Sequence, residues 1–319
     1  MKKKRGIKIK VHVIILLILL IILVLVLASL ILQKTIKKPG NLLNVSNSTF
    51  TIVVLPDTQT YTQNYPDILI NQTTWVSINK NPLNIRMVIF VGDLVNSNNK
   101  EQWNRLNDSL SVLDESNIPY SVIPGNHDLG LTNNDLYYNE YLPVSRFNNK
   151  SWFGGNFNNY KNNYQLQTIN NQDFIFISLD LCPNKQEIDW ANNILDKYPN
   201  YTGVLTTHAY LNTNEPPQRY VNYCSSTEYI WNDLIKLHQN LQLVLCGHMH
   251  TEKRRVDDNN FNKPVYQILA DYQDVDNGKS GYLRILTYDT KNKIINIETY
   301  SPYLNLYKTD YESEFSIKL

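Results

Sequence analysis

Short apolar runs that stop abruptly at polar residues punctuate the chain. Thr51 to Leu55, Met87 to Val91, Tyr120 to Ile123, Val204 to Thr207 and Leu241 to Leu245 each have the length of a buried strand. Between them lie segments with helical spacing. From about Glu101 to Ser116, Trp103, Leu106, Leu110 and Leu113 recur at intervals of three, four and three, which is one face of a helix. Further helices are predicted near Pro66 to Lys80, Gln186 to Lys197 and Thr227 to Leu237. Tyr164 to Thr168 and Asp173 to Leu179 predict a hairpin that turns at Asn170-Asn171. The stretch from Pro124 to about Asn159 reads as irregular, and the tail as strands at Val265 to Leu269, Tyr282 to Tyr288 and Ile294 to Thr299. Strands alternating with helices predict an α/β layered domain, with two sheets packed face to face and helices outside.

The N-terminus follows another pattern. Lys2, Lys3, Lys4, Arg5, Lys8 and Lys10 precede Val11 to Leu32, which is apolar around the whole helix apart from His12, Ala28 and Ser29. A bilayer needs about 20 such residues, whereas the apolar part of a secretory signal is about 7 to 15 long. The segment 11–32 is therefore expected to be an uncleaved transmembrane signal anchor. A cleaved signal peptide, with Ala28-Ser29-Leu30 as its cleavage region, is the alternative. Positive charge ahead of the span places residues 1–10 in the cytoplasm. Residues 33–49 read as a linker, and residues 50–319 as a domain outside the cytoplasm. A formal net charge of +1 supplies no basic field for nucleic acid. Of the three cysteines, Cys182 and Cys224 fall in predicted loops and could bridge in an external domain, while Cys246 ends an apolar strand. Three free thiols is the alternative.

Candidate chemistry lies where the strands stop. Asp57-Thr58-Gln59, Gly92-Asp93, Gly125-Asn126-His127-Asp128, His208 and Gly247-His248-Met249-His250 each follow an apolar run, and they hold four of the six histidines. Any one of these has an ordinary explanation. An Asp after a strand caps the next helix, and alternating histidines suit an exposed strand. Together they predict one site, because ligands of open α/β sheets gather beyond the carboxyl ends of the strands. Asp57, Asp93, Gln59, Asn126, His208, His248 and His250 form an oxygen and nitrogen set without thiolates, suited to Mn, Fe, Zn or Co as divalent ions. If one carboxylate bridges, seven ligands make two sets of four, the count for a dinuclear centre. Trp152-Phe153-Gly154-Gly155 and Tyr210 could line a pocket, although packing is the plainer role for aromatics there.

The order of these motifs resembles the calcineurin-like metallophosphoesterase family over roughly residues 50 to 300. Ala270-Asp271-Tyr272-Gln273 and Thr299-Tyr300-Ser301-Pro302 resemble a branch with Asp-Thr-Gln in its first motif. The resemblance implies that Asp57, Gln59 and His250 hold one ion, that Asn126, His208 and His248 hold the other, and that Asp93 is shared. It leaves His127 facing the substrate with Asp128 setting its tautomer, and implies in-line attack of a metal-bound hydroxide on phosphorus. The family usually has His at position 59, where this chain has Gln. Asn96, three residues after Asp93, excludes the tyrosine of the related purple acid phosphatases. The expected function is hydrolysis of a phosphomonoester or phosphodiester by a membrane-anchored hydrolase. The alternative is a non-catalytic metal-containing surface binding protein of the same fold, and a nuclease is disfavoured by charge.

Overall fold

The computed structural model describes residues 48–129, 135–224 and 227–319. The basic N-terminus, the Val11 to Leu32 span and the linker up to residue 47 lie outside them. Among the described residues no helix is long and apolar enough to cross a membrane.

In chain order the main elements are β1 (Thr49–Leu55), α1 (Gln59–Asn64), α2 (Pro66–Asn79), β2 (Ile85–Phe90), α3 (Lys100–Glu115), β3 (Tyr120–Val122), α4 (Asn126–Leu129) and α5 (Leu136–Tyr141). They continue with β4 (Phe153–Phe157), β5 (Asn162–Ile169), β6 (Gln172–Leu179), α6 (Lys185–Lys197), β7 (Thr202–Thr207), α7 (Glu228–Asp233), β8 (Leu241–Cys246), β9 (Glu252–Asp258) and β10 (Pro264–Ala270). Four strands close the chain: β11 (Leu283–Asp289), β12 (Ile294–Ser301), β13 (Leu306–Lys308) and β14 (Phe315–Lys318).

Two mixed sheets result. One runs β13-β12-β11-β1-β2-β3, with β14 also on β12, and the other runs β4-β5-β6-β7-β8-β10-β9. β1, β2 and β3 are parallel, as are β6, β7, β8 and β10, so each sheet has a bundle of carboxyl ends at one edge. The two-residue period of a strand decides which core each side chain enters. On β6, Phe174 and Phe176 join Ile52, Val54, Met87 and Ile89 between the sheets. Ile175, Ile177 and Leu179 of the same strand pack under α6 and α7 with Ile188, Leu195 and Ile230. A strand buried on both faces has no polar alternation, which is why these runs read as continuously apolar. Caps set the helix starts: Asn99 accepts from Gln102 N ahead of α3, and Asn184 with Glu187 makes a reciprocal capping box ahead of α6.

The structure departs from the expectations at several places. The predicted helix 227–237 breaks at Leu234 (φ −138°, ψ −71°) into α7 and a 3₁₀ turn at Ile235–Leu237. The irregular stretch 124–159 contains α4, α5 and β4. β1 begins at Thr49, inside the expected linker, because Thr49 pairs with Asp289. β9, Glu-Lys-Arg-Arg-Val-Asp-Asp, has no apolar run, since it is an edge strand whose charges are held in ion pairs such as Glu252 with Arg284 and Arg255 with Asp257.

Cys182 and Cys224 form a disulfide (Cα–Cα 5.4 Å), and Cys246 is a buried thiol. The bridge ties the segment before α6 to the loop ahead of α7. Closing a loop of this length is worth roughly 2–4 kcal/mol. Cys182→Ser with Cys224→Ser should lower the melting temperature correspondingly, and reductant should lower it for the parent protein and leave the double variant unchanged.

A second stability prediction concerns Glu298 on β12. Burial first, and the Glu314 charge second, push its carboxyl up to about 7. An acid whose pKa is higher folded than unfolded favours the native state while protonated, so this contribution is complete below about 4.5 and fades as pH rises toward 7. A shift of that size has a ceiling of roughly 3 kcal/mol. Glu298→Gln should therefore match the parent at pH 4.5 and melt several degrees higher at pH 8 in thermal scans across that range.

Candidate metal centre

Turns in the left-handed region bring the strand-end residues together. Asp57 (φ 23°), Asp93 (φ 48°) and His248 (φ 72°) all adopt positive φ, which is costly for residues with a Cβ and clusters at functional sites. Glycines make the close approaches possible. A Cβ on Gly125 would collide with the Asp93 carboxylate, and one on Gly247 with Asp57 Oδ1.

His208, after β7, is fully buried at the centre. Its Nδ1 lies 2.8 Å from the Val91 carbonyl oxygen, which can only accept, so Nδ1 carries the proton and Nε2 presents a lone pair. Facing that Nε2 are Asn126 Oδ1 at 3.3 Å, Asp93 Oδ1 at 3.4 Å and His248 Nδ1 at 3.2 Å. Donor atoms of Asp93, His208 and His248 all fall within 4.8 Å of one another. Such a gathering of lone pairs needs a proton or a cation at its middle. Burial alone would lower the His208 imidazole, but the Asp93 charge together with the hydrogen bonds of Asp93 and the Val91 carbonyl outweighs it, and the net shift is upward. Burial opposes ionisation of Asp93, and His208 beside it holds that carboxyl below its ordinary range. Burial and then the charge of His208 bring His248 down to about 4, leaving it a neutral donor.

Asp57 receives the backbone N–H of His248 on Oδ2 (2.7 Å), while its buried Oδ1 has no partner. Burial, then the Asp271 and Asp93 charges, raise its carboxyl well above the usual range. The Gln59 side chain donates its Nε2 to Gln273 Oε1, and its Oε1 is buried without a partner. His250 directs Nδ1 at Asp274 Oδ2 (2.6 Å), and its Nε2 meets the Gln273 amide 4.0 Å from Asp271 Oδ2. The structure thus groups Asp93, Asn126, His208 and His248 tightly, with Asp57 beside them. Gln59 and His250 are joined to one another through Gln273.

His127 adjoins these groups through its main chain. Its backbone N–H donates to Asp93 Oδ1 at 3.0 Å, and its Nδ1 lies 2.8 Å from the Asn96 carbonyl oxygen. That carbonyl, rather than Asp128, sets the tautomer. Asp128 is turned away: Oδ1 accepts from Leu94 N (2.8 Å) and Val95 N (2.9 Å), and Oδ2 from Gly125 N (2.7 Å). It locks the loop after Asp93 against the loop after β3. Burial, then the charge of Asp93, push its carboxyl up to about 7 against these three donors. Tyr210 and Trp152 are both buried, and Tyr210 donates to Gln267 Oε1. The exposed Tyr223, next to the disulfide, brings its ring to 6.1 Å from that of His248 at the rim.

Sequence reasoning gave no site role to Asp271, Gln273 or Asp274. The signal was present, since Val265 to Leu269 is another predicted strand ending at a polar cluster. Behind it sits a buried hub: Glu252 accepts from Tyr272 Oη (2.7 Å), Thr299 Oγ1 (3.1 Å), Ser313 Oγ (2.6 Å), Lys308 Nζ (2.5 Å) and the Arg284 guanidinium. Tyr272 stands between Asp271 and Gln273, so the hub fixes the turn after β10.

A two-sheet α/β fold that gathers carboxylates, amides and imidazoles at its strand ends defines the class of this protein as a metallophosphoesterase fold. Residues 50–252 match the Metallophos profile, described as calcineurin-like phosphoesterase, and the chain belongs to that family. It is similar to the uncharacterized protein YvnB of Bacillus subtilis (strain 168), at 36% identity over 284 residues, covering 85% of this chain. The chain spans 22% of that relative's length. GAP50, the anchor in the inner membrane complex of Plasmodium, shares the fold with a TM-score of 0.50 and 12% identity, over 85% of this chain and 90% of that one. Purple acid phosphatase PPD1 from yellow lupin (Lupinus luteus) seeds does so with a TM-score of 0.51 and 12% identity, over 86% and 54%.

Proposed function

We propose that the chain is a metal-dependent phosphoesterase that hydrolyses a phosphomonoester or phosphodiester at a centre of two divalent ions. Asp57, Gln59 and His250 would hold one ion and Asn126, His208 and His248 the other, with Asp93 shared. The observation that carries this reading is the convergence of Asp93, Asn126 and His248 on the lone pair of a buried, tautomer-fixed His208. Ions held there would acidify water and offset charge on a phosphoryl group. The chain's own contribution is orientation. Val91 aims His208, Asp274 aims His250, and Asn96 aims His127 with Nε2 left for a substrate oxygen. Such partners of ligating imidazoles fix the ring and raise its basicity.

The reading includes a membrane anchor at Val11 to Leu32 with the catalytic domain outside the cytoplasm. The 22-residue apolar span supports it, and so does the cystine, which persists in oxidising compartments. The test is turnover by the full chain, purified in detergent. With Mn²⁺ it should hydrolyse p-nitrophenyl phosphate or bis(p-nitrophenyl) phosphate, and a chelator should stop it. Absence of turnover with Mn²⁺, Fe²⁺, Zn²⁺ and Co²⁺ would leave the non-catalytic binding protein as the better description. Protease accessibility of the domain in intact cells tests its side of the membrane.

A further inference from the structure

We propose that Asp271 is an additional cation ligand, making the position served by Asp57, Gln59 and His250 an oxygen-rich site that prefers a harder divalent ion than the His208–His248 position. This rests on the metal reading above.

Asp271 opens the turn after β10 and is 1% exposed. Its Oδ1 accepts from Gln273 N at 2.9 Å, whereas Oδ2 is buried without any donor. That free oxygen lies 4.0 Å from His250 Nε2. The Asp57 carboxylate neighbours Asp271, and its own Oδ1 lacks a donor as well. Gln59 Oε1 is a third such atom, tied into the same cluster through the Gln273 amide. Three acceptor oxygens from two segments, residues 57–59 and Asp271, each on a residue at least nine-tenths buried, therefore belong to one linked cluster and receive no hydrogen bond. A buried carboxylate without a partner is strongly unfavourable, and two facing one another repel. A cation among them removes both penalties.

The two positions then differ in chemistry. One offers the carboxylates of Asp57, Asp271 and the shared Asp93, an amide oxygen and one imidazole. The other offers two imidazoles, an amide oxygen and Asp93. Carboxylate and carbonyl sets suit Mn²⁺ or Mg²⁺, and imidazole suits Zn²⁺, Fe²⁺ or Co²⁺.

The full-length protein, stripped of metal, is titrated with MnCl₂ and separately with ZnCl₂, and bound ions are counted by elemental analysis. Wild type should take two equivalents of Mn²⁺. Asp271→Asn, which keeps shape and removes the charge, should weaken one Mn²⁺ equivalent about 10–100-fold and leave the first Zn²⁺ equivalent unchanged. Paramagnetic resonance should change from a coupled Mn²⁺ pair to an isolated ion. Metal-free Asp271→Asn should melt no lower than metal-free wild type, since one of two facing carboxylates is gone; a purely structural role for Asp271 predicts the reverse. Two Mn²⁺ equivalents held at wild-type affinity by Asp271→Asn would overturn the assignment while leaving the phosphoesterase reading standing. A wild type that binds no divalent ion would overturn both. If Asp271→Asn does not fold, anomalous diffraction from Mn²⁺-loaded wild type decides, an Asp271 oxygen within about 2.3 Å of an ion supporting the assignment and one beyond 3 Å overturning it.

Discussion

Replacing His127 with alanine should lower kcat by about 10²–10⁴, the usual contribution of a positioned proton-transfer group, while two ions stay bound. The side chain is not among the converging donors, and the contact between this residue and Asp93 is made by its backbone N–H, which alanine keeps. Its ring is fixed by the Asn96 carbonyl at 2.8 Å, so the remaining nitrogen is presented in one orientation. Steady-state kinetics paired with elemental analysis check the prediction. Unchanged turnover would remove His127 from the reaction. Loss of metal would make it a ligand or a support for one.

Asp93→Asn should be the most damaging substitution of comparable size. Asparagine retains an oxygen for His127 N, so the loop need not collapse, but the charge facing His208 at 3.4 Å is gone. On the proposed two-ion reading, the shared position would lose its anion. Metal content should fall from two equivalents to one or none, and kcat/KM should fall roughly a thousand-fold or more, since charge stabilisation by bound ions is worth several kcal/mol. Retention of both ions with only a modest loss of rate would show that Asp93 does not bridge.

Much of this arrangement was legible in the chain because the central strands are buried on both faces. Continuous apolar runs such as Met87 to Val91 mark their own ends, and the ends carry the ligand-type residues. What escaped notice has physical reasons. β9 is an edge strand built of paired charges, so it lacks the continuous apolar run that marks β6. The role of Asn96 belongs to its carbonyl oxygen, which side-chain identity does not reveal. Asp128 looked like a partner for His127 because the two are adjacent, yet α4 turns the carboxylate toward three backbone amides across the loop. Asp271 follows the same rule, and its motif was noticed only as a resemblance because Tyr266 and Gln267 interrupt the apolar run ahead of it.

The Glu252 hub bears on how such a module can be cut and moved. The family match ends at residue 252, yet that carboxylate is neutralised by Arg284 and Lys308, both farther along the chain. A piece ending at residue 252 would strand an anion in the interior, strip β1 of β11 and deprive β8 of β10. Any exchange of this unit among longer polypeptides must therefore carry its closing strands along, or it delivers half a sandwich.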